Sequence, residues 1–169
     1  MTADALIFEP LHADHEIATL SCGVASLDRY LREQAGQDRR RRLASTFIMR
    51  LPASRAVLGY YTLSNYSVIR TDLPDATRKR VGRYQSVPAT LIGRLAVSRD
   101  QQGRQYGRRL VGNALERSLT NEIASALIVV DALDEGAAAF YHAVCFEHVP
   151  GDPLRLYILM ETVRKALQP

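Results

Sequence analysis

The feature that most constrains this chain is a strand-like segment that runs into a glycine-containing, basic turn and then into an amphipathic helix. Residues 90–97 are mostly apolar, residues 98–101 are polar, and residues 102–109 contain two glycines and three arginines. A strand–turn–helix of this kind aims backbone N–H groups and the positive end of the helix dipole at one point. The sequence therefore predicts an anion site here, and a pyrophosphate group suits it.

Taken alone, the turn also fits an ordinary solvated loop. Glycine is common where loops begin, and arginines on a first helical turn are usually hydrated. The turn is not a Walker phosphate loop, because no Gly-Lys-Ser/Thr follows, and it lacks the three-glycine spacing of dinucleotide sites. Its assignment therefore depends on the rest of the chain.

The length and composition predict one domain, 1–169. The chain has 47% hydrophobic and 24% charged residues, which is ordinary for a globular protein. No apolar run approaches the length of a membrane span, and the N-terminus lacks the pattern of a secretory signal. The two cysteines are far apart in the sequence, which favours a reducing compartment over a disulfide framework. We expect a cytoplasmic protein with no membrane partner.

The net charge of +4 is unevenly distributed along the chain. Residues 1–28 carry five acids and no Lys or Arg. Residues 29–117 carry 19 Lys and Arg against 6 Asp and Glu, a net charge of +13, and residues 118–169 carry 3 against 7, a net charge of −4. A middle segment this basic indicates a polyanionic partner.

Apolar periodicity and turn signals predict the order β α β β α β α β α β β. The first helix is expected to begin at an N-cap, Ser26, and to end near Gln37. The last strand is expected to cover 154–160 after a turn at 151–153. The other predicted elements are strands at 6–10, 44–51, 56–63 (extending through 69), 90–97 after Pro88, 126–131 and 146–148, a basic helix after 71–74, and helices after the turn at 102–109 and at 135–143. This order predicts an α/β (α+β) fold, a mixed sheet with helices on both faces.

Two landmarks of the chain resemble the GNAT family of acetyl-CoA-dependent N-acetyltransferases. The turn from Gln102 to Gly107 is similar to the family pattern Gln/Arg-x-x-Gly-x-Gly/Ala. The segment from Asp134 to Phe146 is similar to Asn-x-x-Ala-x-x-Phe-Tyr-x-x-x-Gly-Phe. The resemblance implies one GNAT domain with acetyl-CoA as cosubstrate, built on a mostly antiparallel sheet with a splayed pair of central parallel strands. The chain departs from the patterns at Gln105 and Cys145, where the family has Gly, and at Asp134, where it has Asn.

Further short stretches are similar to GNAT toxins of bacterial toxin–antitoxin modules. They include an early Cys-Gly…Leu-Asp-Arg-Tyr-Leu segment and the stretches at 45–47, 58–63, 91–97 and 130–134. Those toxins acetylate the α-amino group of aminoacyl-tRNA and block translation. The resemblance therefore implies an aminoacyl-tRNA substrate, a ribbon–helix–helix antitoxin as partner, and a homodimer.

Within this resemblance, Tyr141 occupies the place of the tyrosine near the acetyl-CoA sulfur. Amine attack on a thioester creates an oxyanion and then expels a thiolate, which a nearby hydroxyl can protonate. From the residues alone, Tyr141 also fits a core position on an amphipathic helix. The resemblance further implies that backbone groups of Leu95, Ala96 and Val97 bind the pantetheine arm. The residues expected at the pyrophosphate are Gln102, Gly103, Arg104, Gln105, Tyr106, Gly107, Arg108 and Arg109.

The basic residues are candidates for contacts with tRNA phosphates, although solvated charge runs are the commoner outcome. The candidates are Arg39, Arg40, Arg41, Arg42, Arg78, Lys79, Arg80, Arg83 and Arg94. The four histidines show no metal spacing, so no metal is expected. Two other functions remain open: acetylation of a small amine or a protein amino group, and a nucleic-acid-binding module without enzymatic activity.

Overall fold

The computed structural model describes residues 5–168. Seven strands form one sheet in the order β1-β2-β3-β4-β5-β7-β6. The strands are β1 Ile7–Pro10, β2 Ser45–Arg50, β3 Gly59–Ile69, β4 Ser86–Val97, β5 Leu127–Asp131, β6 Glu147–Val149 and β7 Asp152–Leu159. The helices are α1 Ala25–Arg29, α2 Ala35–Arg41, α3 Asp75–Arg78, α4 Tyr106–Thr120, α5 Glu135–Ala143 and α6 Met160–Leu167.

The sheet is mixed, as predicted. The pairs β1–β2, β2–β3, β5–β7 and β6–β7 are antiparallel, whereas β4 and β5 are parallel. The parallel register runs from Ala89 opposite Leu127 to Ile92 opposite Val130, while β4 itself continues to Val97. The predicted α/β sheet with a central parallel pair is confirmed. The segment beyond the register contains Leu95, Ala96 and Val97, the residues expected to bind pantetheine.

The chain forms two compact units, and both long strands β3 and β4 pass through both of them. The first unit contains residues 5–64 and 93–114, and the second contains 65–92 and 115–168. The first unit has a core built around Leu20, Leu31, Ile48 and Tyr60, each at most 1% exposed. The second has its own core, which includes Val87, Leu127, Val129 and Tyr157. The assignment of 1–169 to one domain stays a prediction.

Gly59 shows why β3 needs a glycine where it begins. A Cβ atom there would lie 2.8 Å from the Ala96 carbonyl oxygen and 3.0 Å from Cδ1 of Leu110. The backbone oxygen cannot move aside as a flexible side chain can, so β3 and β4 approach closely only because this position lacks a side chain. This close contact between β3 and β4 positions the end of β4, which leads into the basic turn.

The N-terminal helical segment differs from its prediction at both ends. Ser26 is not the N-cap, because α1 begins at Ala25 and its N-cap, Val24, makes no side-chain cap. A π-helical turn, Tyr30–Gln34, follows, and α2 then ends at Arg41 with Arg42 in the left-handed conformation, φ 57°. The arginine run is thus an exposed helix end. Cations at a helix C-terminus are favoured by the helix dipole, a term that the sequence interpretation left out.

Three further element predictions were wrong, and one helix was missed. The basic helix is one turn, so Lys79 and Arg80 lie beyond it. β4 begins before Pro88, whose carbonyl still accepts from Ala126 N–H at 2.9 Å. The 151–153 turn is shorter, because β7 already starts at Asp152. α6 was missed because its apolar positions, 160, 163 and 167, directly follow an apolar strand and no polar side chain caps its start.

Candidate active site

The strand–turn–helix forms as the sequence predicts, and a glutamine side chain braces it. After β4, a 3₁₀ turn covers Arg99–Gln101, Gly103 takes φ +82°, and α4 begins at Tyr106. The Gln102 side-chain amide donates to the carbonyl oxygens of Val97 and Cys22, both at 3.0 Å. Gln102 therefore holds the turn against the end of β4. The first N–H groups of a helix have no partner within it, so the start of α4 presents donors suited to an anion.

The three arginines of the turn do not share one environment. Arg104 and Arg108 are exposed. Arg109 is partly buried, and its guanidinium lies 6.0 Å from the centre of the Phe8 ring. Hydrogen bonds from Ser98 and Gln101 lower the pKa of Asp100 below its ordinary value, with a smaller contribution from the charge of Arg104. Arg104 and Arg108 are therefore the side chains best placed to reach a phosphate outside the turn.

Two departures from the family pattern fall on left-handed backbone. Gln105 has φ 64° and Cys145 has φ 78°, and these are the two positions where the resemblance leads us to expect glycine. A left-handed backbone favours glycine because a Cβ atom there meets the following carbonyl. The third departure, Asp134, is the N-cap of α5, and its Oδ1 accepts from Ala137 N–H at 2.8 Å. Asp and Asn cap helices about equally well, so this change preserves the local structure.

We predict that Cys145→Gly raises stability by about 1 kcal/mol, because it relieves the left-handed strain. For a chain of this size the melting temperature should rise by roughly 2–4 °C. Thermal unfolding of the two proteins measures the effect. Ala139→Gly, at an exposed position within α5, is the matched control and should lower stability by about 1 kcal/mol. Equal losses in both variants would contradict a strained backbone at Cys145.

Tyr141 lies on α5, as predicted, and is only 7% exposed. Its ring packs edge-on against Phe140 and Phe146, with ring centres at 5.2 and 5.6 Å. Burial raises the pKa of the Tyr141 phenol above its ordinary value of 10.0. The phenol is therefore protonated at neutral pH and can donate a proton.

The Tyr141 hydroxyl differs from those of other buried tyrosines. The hydroxyl of Tyr30 donates to Asp38 at 2.8 Å, that of Tyr60 to Leu27 O at 2.6 Å, and that of Tyr61 to Asn113 at 2.6 Å. Tyr157 O–H donates to Glu147 at 3.0 Å. Among residues 5–168 we find no hydrogen bond to the Tyr141 hydroxyl. A buried tyrosine normally has such a partner, so this hydroxyl is available for another molecule.

The structure separates the candidate tRNA contacts by environment. Arg94 is exposed and its guanidinium lies 3.6 Å from the centre of the Tyr30 ring. Arg78 is paired with Asp75, and Arg80 with Glu161 at 3.0 Å. The remaining candidates are exposed: Arg39, Arg40, Arg41, Arg42, Lys79 and Arg83. Arg39 also donates to the Leu11 carbonyl. Cationic residues on α2 and Arg94 lie in the first unit, and those after α3 lie in the second.

The comparison with protein families decides to which family this chain belongs. The family model described as Acetyltransferase (GNAT) family matches residues 15–145. The chain belongs to this family. The prediction of a GNAT acetyltransferase is thereby confirmed.

Similar proteins include toxins of this family. A tRNA-acetylating toxin of Mycobacterium tuberculosis is 35% identical over 88% of this acetyltransferase and 89% of its own length. The structure of AtaT complexed with acetyl-methionyl-tRNAfMet is 26% identical, with a TM-score of 0.88 over 97% of this chain and 100% of that one. A mutant AtaT toxin bound to acetyl-CoA and the C-terminus of the antitoxin AtaR is 25% identical, with a TM-score of 0.83 over 98% and 100% of the two chains.

Two groups in this acetyltransferase have roles that the sequence interpretation missed. The bracing role of Gln102 was missed because its partners are main-chain carbonyls, which no sequence pattern shows. The capping role of Asp134 was accessible, since an acid three residues before a helical N–H is an N-cap signal.

Within residues 5–168, no cluster of three or more His, Cys, Asp or Glu residues could hold a metal ion. No helix in that range is long and apolar enough to span a bilayer.

Proposed function

We propose that this acetyltransferase is the toxin of a toxin–antitoxin module. It transfers the acetyl group of acetyl-CoA to the α-amino group of an aminoacyl-tRNA and so blocks translation. The tRNA-acetylating name of the 35% identical relative and the acetyl-aminoacyl-tRNA bound to AtaT support the substrate. The acetyl-CoA bound to AtaT supports the acetyl donor.

The observation that carries the mechanism is the hydroxyl of Tyr141, which has no hydrogen-bond partner among the described residues although the residue as a whole is only 7% exposed. The acceptor amine attacks the thioester carbonyl, the C–N bond forms and the C–S bond breaks. Tyr141 O–H protonates the leaving thiolate, and water takes the proton that the amine loses. A positioned acid of this kind contributes on the order of 10²–10⁴ to the rate.

The donor would be held mainly through backbone groups. The N–H groups at the start of α4 suit the pyrophosphate, and Arg104 and Arg108 add charge-assisted hydrogen bonds. The main chain of Leu95, Ala96 and Val97, beyond the parallel register, suits the amides of the pantetheine arm. Gln102 acts through the turn that it braces. Because main-chain groups would hold the donor, the side chains of β4 can be determined by packing in the core.

The acceptor would be held mainly through charge. A tRNA offers a phosphate surface, and arginines position such a backbone without reading its sequence. The exposed candidates after α3 and at the end of α2 are suited to this task. The pairing of Arg78 and Arg80 with acids favours a second candidate, a smaller amine acceptor that needs no cationic surface, and the experiments below separate the two.

The proposal extends to partners and location. The antitoxin would be a ribbon–helix–helix protein that covers the acetyl-CoA cleft or the cationic surface, since blocking either suffices. AtaT bound to the C-terminus of AtaR supports an antitoxin partner. A homodimer and a cytoplasmic location fit an enzyme that acts on charged tRNA.

Acetyl-CoA binding tests the donor half of this proposal. We expect a Kd in the micromolar range, about −8 kcal/mol, and a rise in melting temperature with ligand. Arg104→Ala and Arg108→Ala should each weaken binding by about tenfold or more, the loss of a charge-assisted hydrogen bond. Arg164→Ala, at an exposed arginine on α6, is the control and should bind normally. Absence of any response in the wild type would overturn the enzyme assignment.

A further inference from the structure

Tyr84 is the most exposed large hydrophobic residue in the part of the chain that the structure describes. Its side chain is 81% exposed, compared with 66% for Ile123 and 61% for Leu43. It lies in the segment between α3 and β4, where Arg83 precedes it. A single exposed apolar residue is common on a protein surface, so a binding role for this ring depends on how its loop is held and on the charges in that loop.

The segment that carries Tyr84 is held rigidly by Arg70. Arg70 Nε donates to the Gly82 carbonyl at 2.7 Å and Nη2 donates to the Arg78 carbonyl at 3.2 Å. The backbone N–H of Arg70 donates to Gln85 O at 2.8 Å, on the other side of Tyr84. Gly82, at φ +79°, supplies the turn. The ring is therefore presented from a fixed loop, and little entropy would be lost when it binds.

The charges around Tyr84 are positive and partly unpaired. Lys79 and Arg83 are exposed, and neither has an acidic partner within the part of the chain that the structure describes. Arg80 is paired with Glu161 at 3.0 Å, which ties the loop to α6. Arg70 is used within the loop itself. The loop thus combines one exposed ring with two cations that are not neutralised locally.

We propose that Tyr84 stacks on an unpaired base of the aminoacyl-tRNA, while Lys79 and Arg83 contact the phosphates beside that base. Single-stranded nucleotides are recognised by aromatic stacking together with nearby cations. A protein segment is the weaker candidate for this loop, because two unpaired cations in the same loop as one exposed ring match a nucleotide better than an apolar anchor. The inference rests on the proposed function and assigns a substrate contact to a residue outside the acetyl-transfer chemistry.

The test compares Tyr84→Phe, Tyr84→Leu and Tyr84→Ala in acetylation of charged tRNA and of an amino acid methyl ester. Stacking is worth ~1–3 kcal/mol per base, so Ala and Leu should lower kcat/KM for charged tRNA roughly tenfold or more. Phe keeps the ring face and should stay within about twofold of the wild type. The loss should appear in KM, and the ester should react equally well with all variants. Ile123→Ala, at another exposed apolar position, is the control and should behave as wild type.

The outcomes separate this inference from the proposed function. Wild type that acetylates the ester but no charged tRNA overturns both. Wild type that acetylates charged tRNA, with all Tyr84 variants equal to it, overturns only the stacking contact. Retained tRNA kinetics combined with a change in sedimentation or antitoxin binding makes Tyr84 a protein contact, which also overturns it.

Discussion

Replacing Tyr141 with phenylalanine should lower turnover on the order of a hundredfold or more, while acetyl-CoA affinity is unchanged. The substitution keeps the ring that packs against Phe140 and Phe146 and removes only the hydroxyl. Because no hydrogen bond to that hydroxyl is found among residues 5–168, the variant should be as stable as the wild type. Single-turnover acetylation, calorimetric binding of acetyl-CoA and thermal unfolding together measure this prediction.

Tyr157→Phe is the matched control for that experiment. Tyr157 is also buried, but its hydroxyl bonds to Thr77 at 2.7 Å and Glu147 at 3.0 Å. Its removal should cost about 1 kcal/mol of stability and leave turnover unchanged. An unchanged rate in Tyr141→Phe would contradict the proton-donor role and show that Tyr141 serves only in packing.

The pH dependence gives a second check on the same residue. Since burial raises the pKa of Tyr141 above 10.0, the acid form persists across the neutral and moderately alkaline range. The rate should therefore not fall between about pH 8 and pH 10 because of an acid that loses its proton. An alkaline limb in that range which Tyr141→Phe abolishes would contradict the raised pKa.

Reversing the charges of Lys79 and Arg83 should strongly reduce acetylation of charged tRNA and leave acetyl-CoA binding intact. These two residues are exposed and lack acidic partners among the described residues, whereas Arg78 and Arg80 are ion-paired. Each lost phosphate contact should reduce the slope of log affinity against log salt by about 0.7–0.9. The double variant Lys79→Glu/Arg83→Glu should therefore bind tRNA more weakly and with a slope lower by roughly 1.5.

The control for that variant reverses two exposed arginines elsewhere, Arg29 on α1 and Arg164 on α6. It changes the net charge of the chain equally, so it separates a local contact from a general field effect. Equal tRNA acetylation by both double variants, with the same salt slope, would show that the loop after α3 is only hydrated. The acceptor would then be a smaller amine.

The correctly predicted parts of the fold are those whose sequence pattern favours a single local structure. The run that became β5 is apolar without interruption, and Leu127 to Val130 are fully buried, so only a strand covered on both faces fits it. The basic turn was predicted from a strand, a glycine-containing turn and a following amphipathic helix, and Gly103 takes φ +82° in the structure. Helix α5 was predicted with the bounds that the structure shows.

The parts that were mispredicted depend on contacts distant in sequence. Ser26 has the chemistry of an N-cap, but the N-cap of α1 is Val24, two residues earlier. The Asp28 carboxylate accepts from Cys22 N–H at 3.0 Å. The basic helix ends after one turn, where Arg70 donates to the carbonyls of Arg78 and Gly82 and Arg80 pairs with Glu161. The helix propensities of the residues give no information about these partners.

The same division applies to the candidate site. The backbone donors and Tyr141 follow from motif and chemistry. The left-handed backbone at Gln105 and Cys145, the pairing of Arg78 and Arg80, and the position of Tyr84 are properties of the folded chain. A count of charges could not separate the paired cations from the unpaired ones.

The most direct test of the proposed activity is transfer of labelled acetyl from acetyl-CoA to purified charged tRNA. The proposal predicts label on the tRNA fraction that mild alkali releases as N-acetyl amino acid, with uncharged tRNA unlabelled and Tyr141→Phe nearly inactive. Label that appears only on small amines or on protein, with charged tRNA unmodified by an enzyme that binds acetyl-CoA, would contradict it.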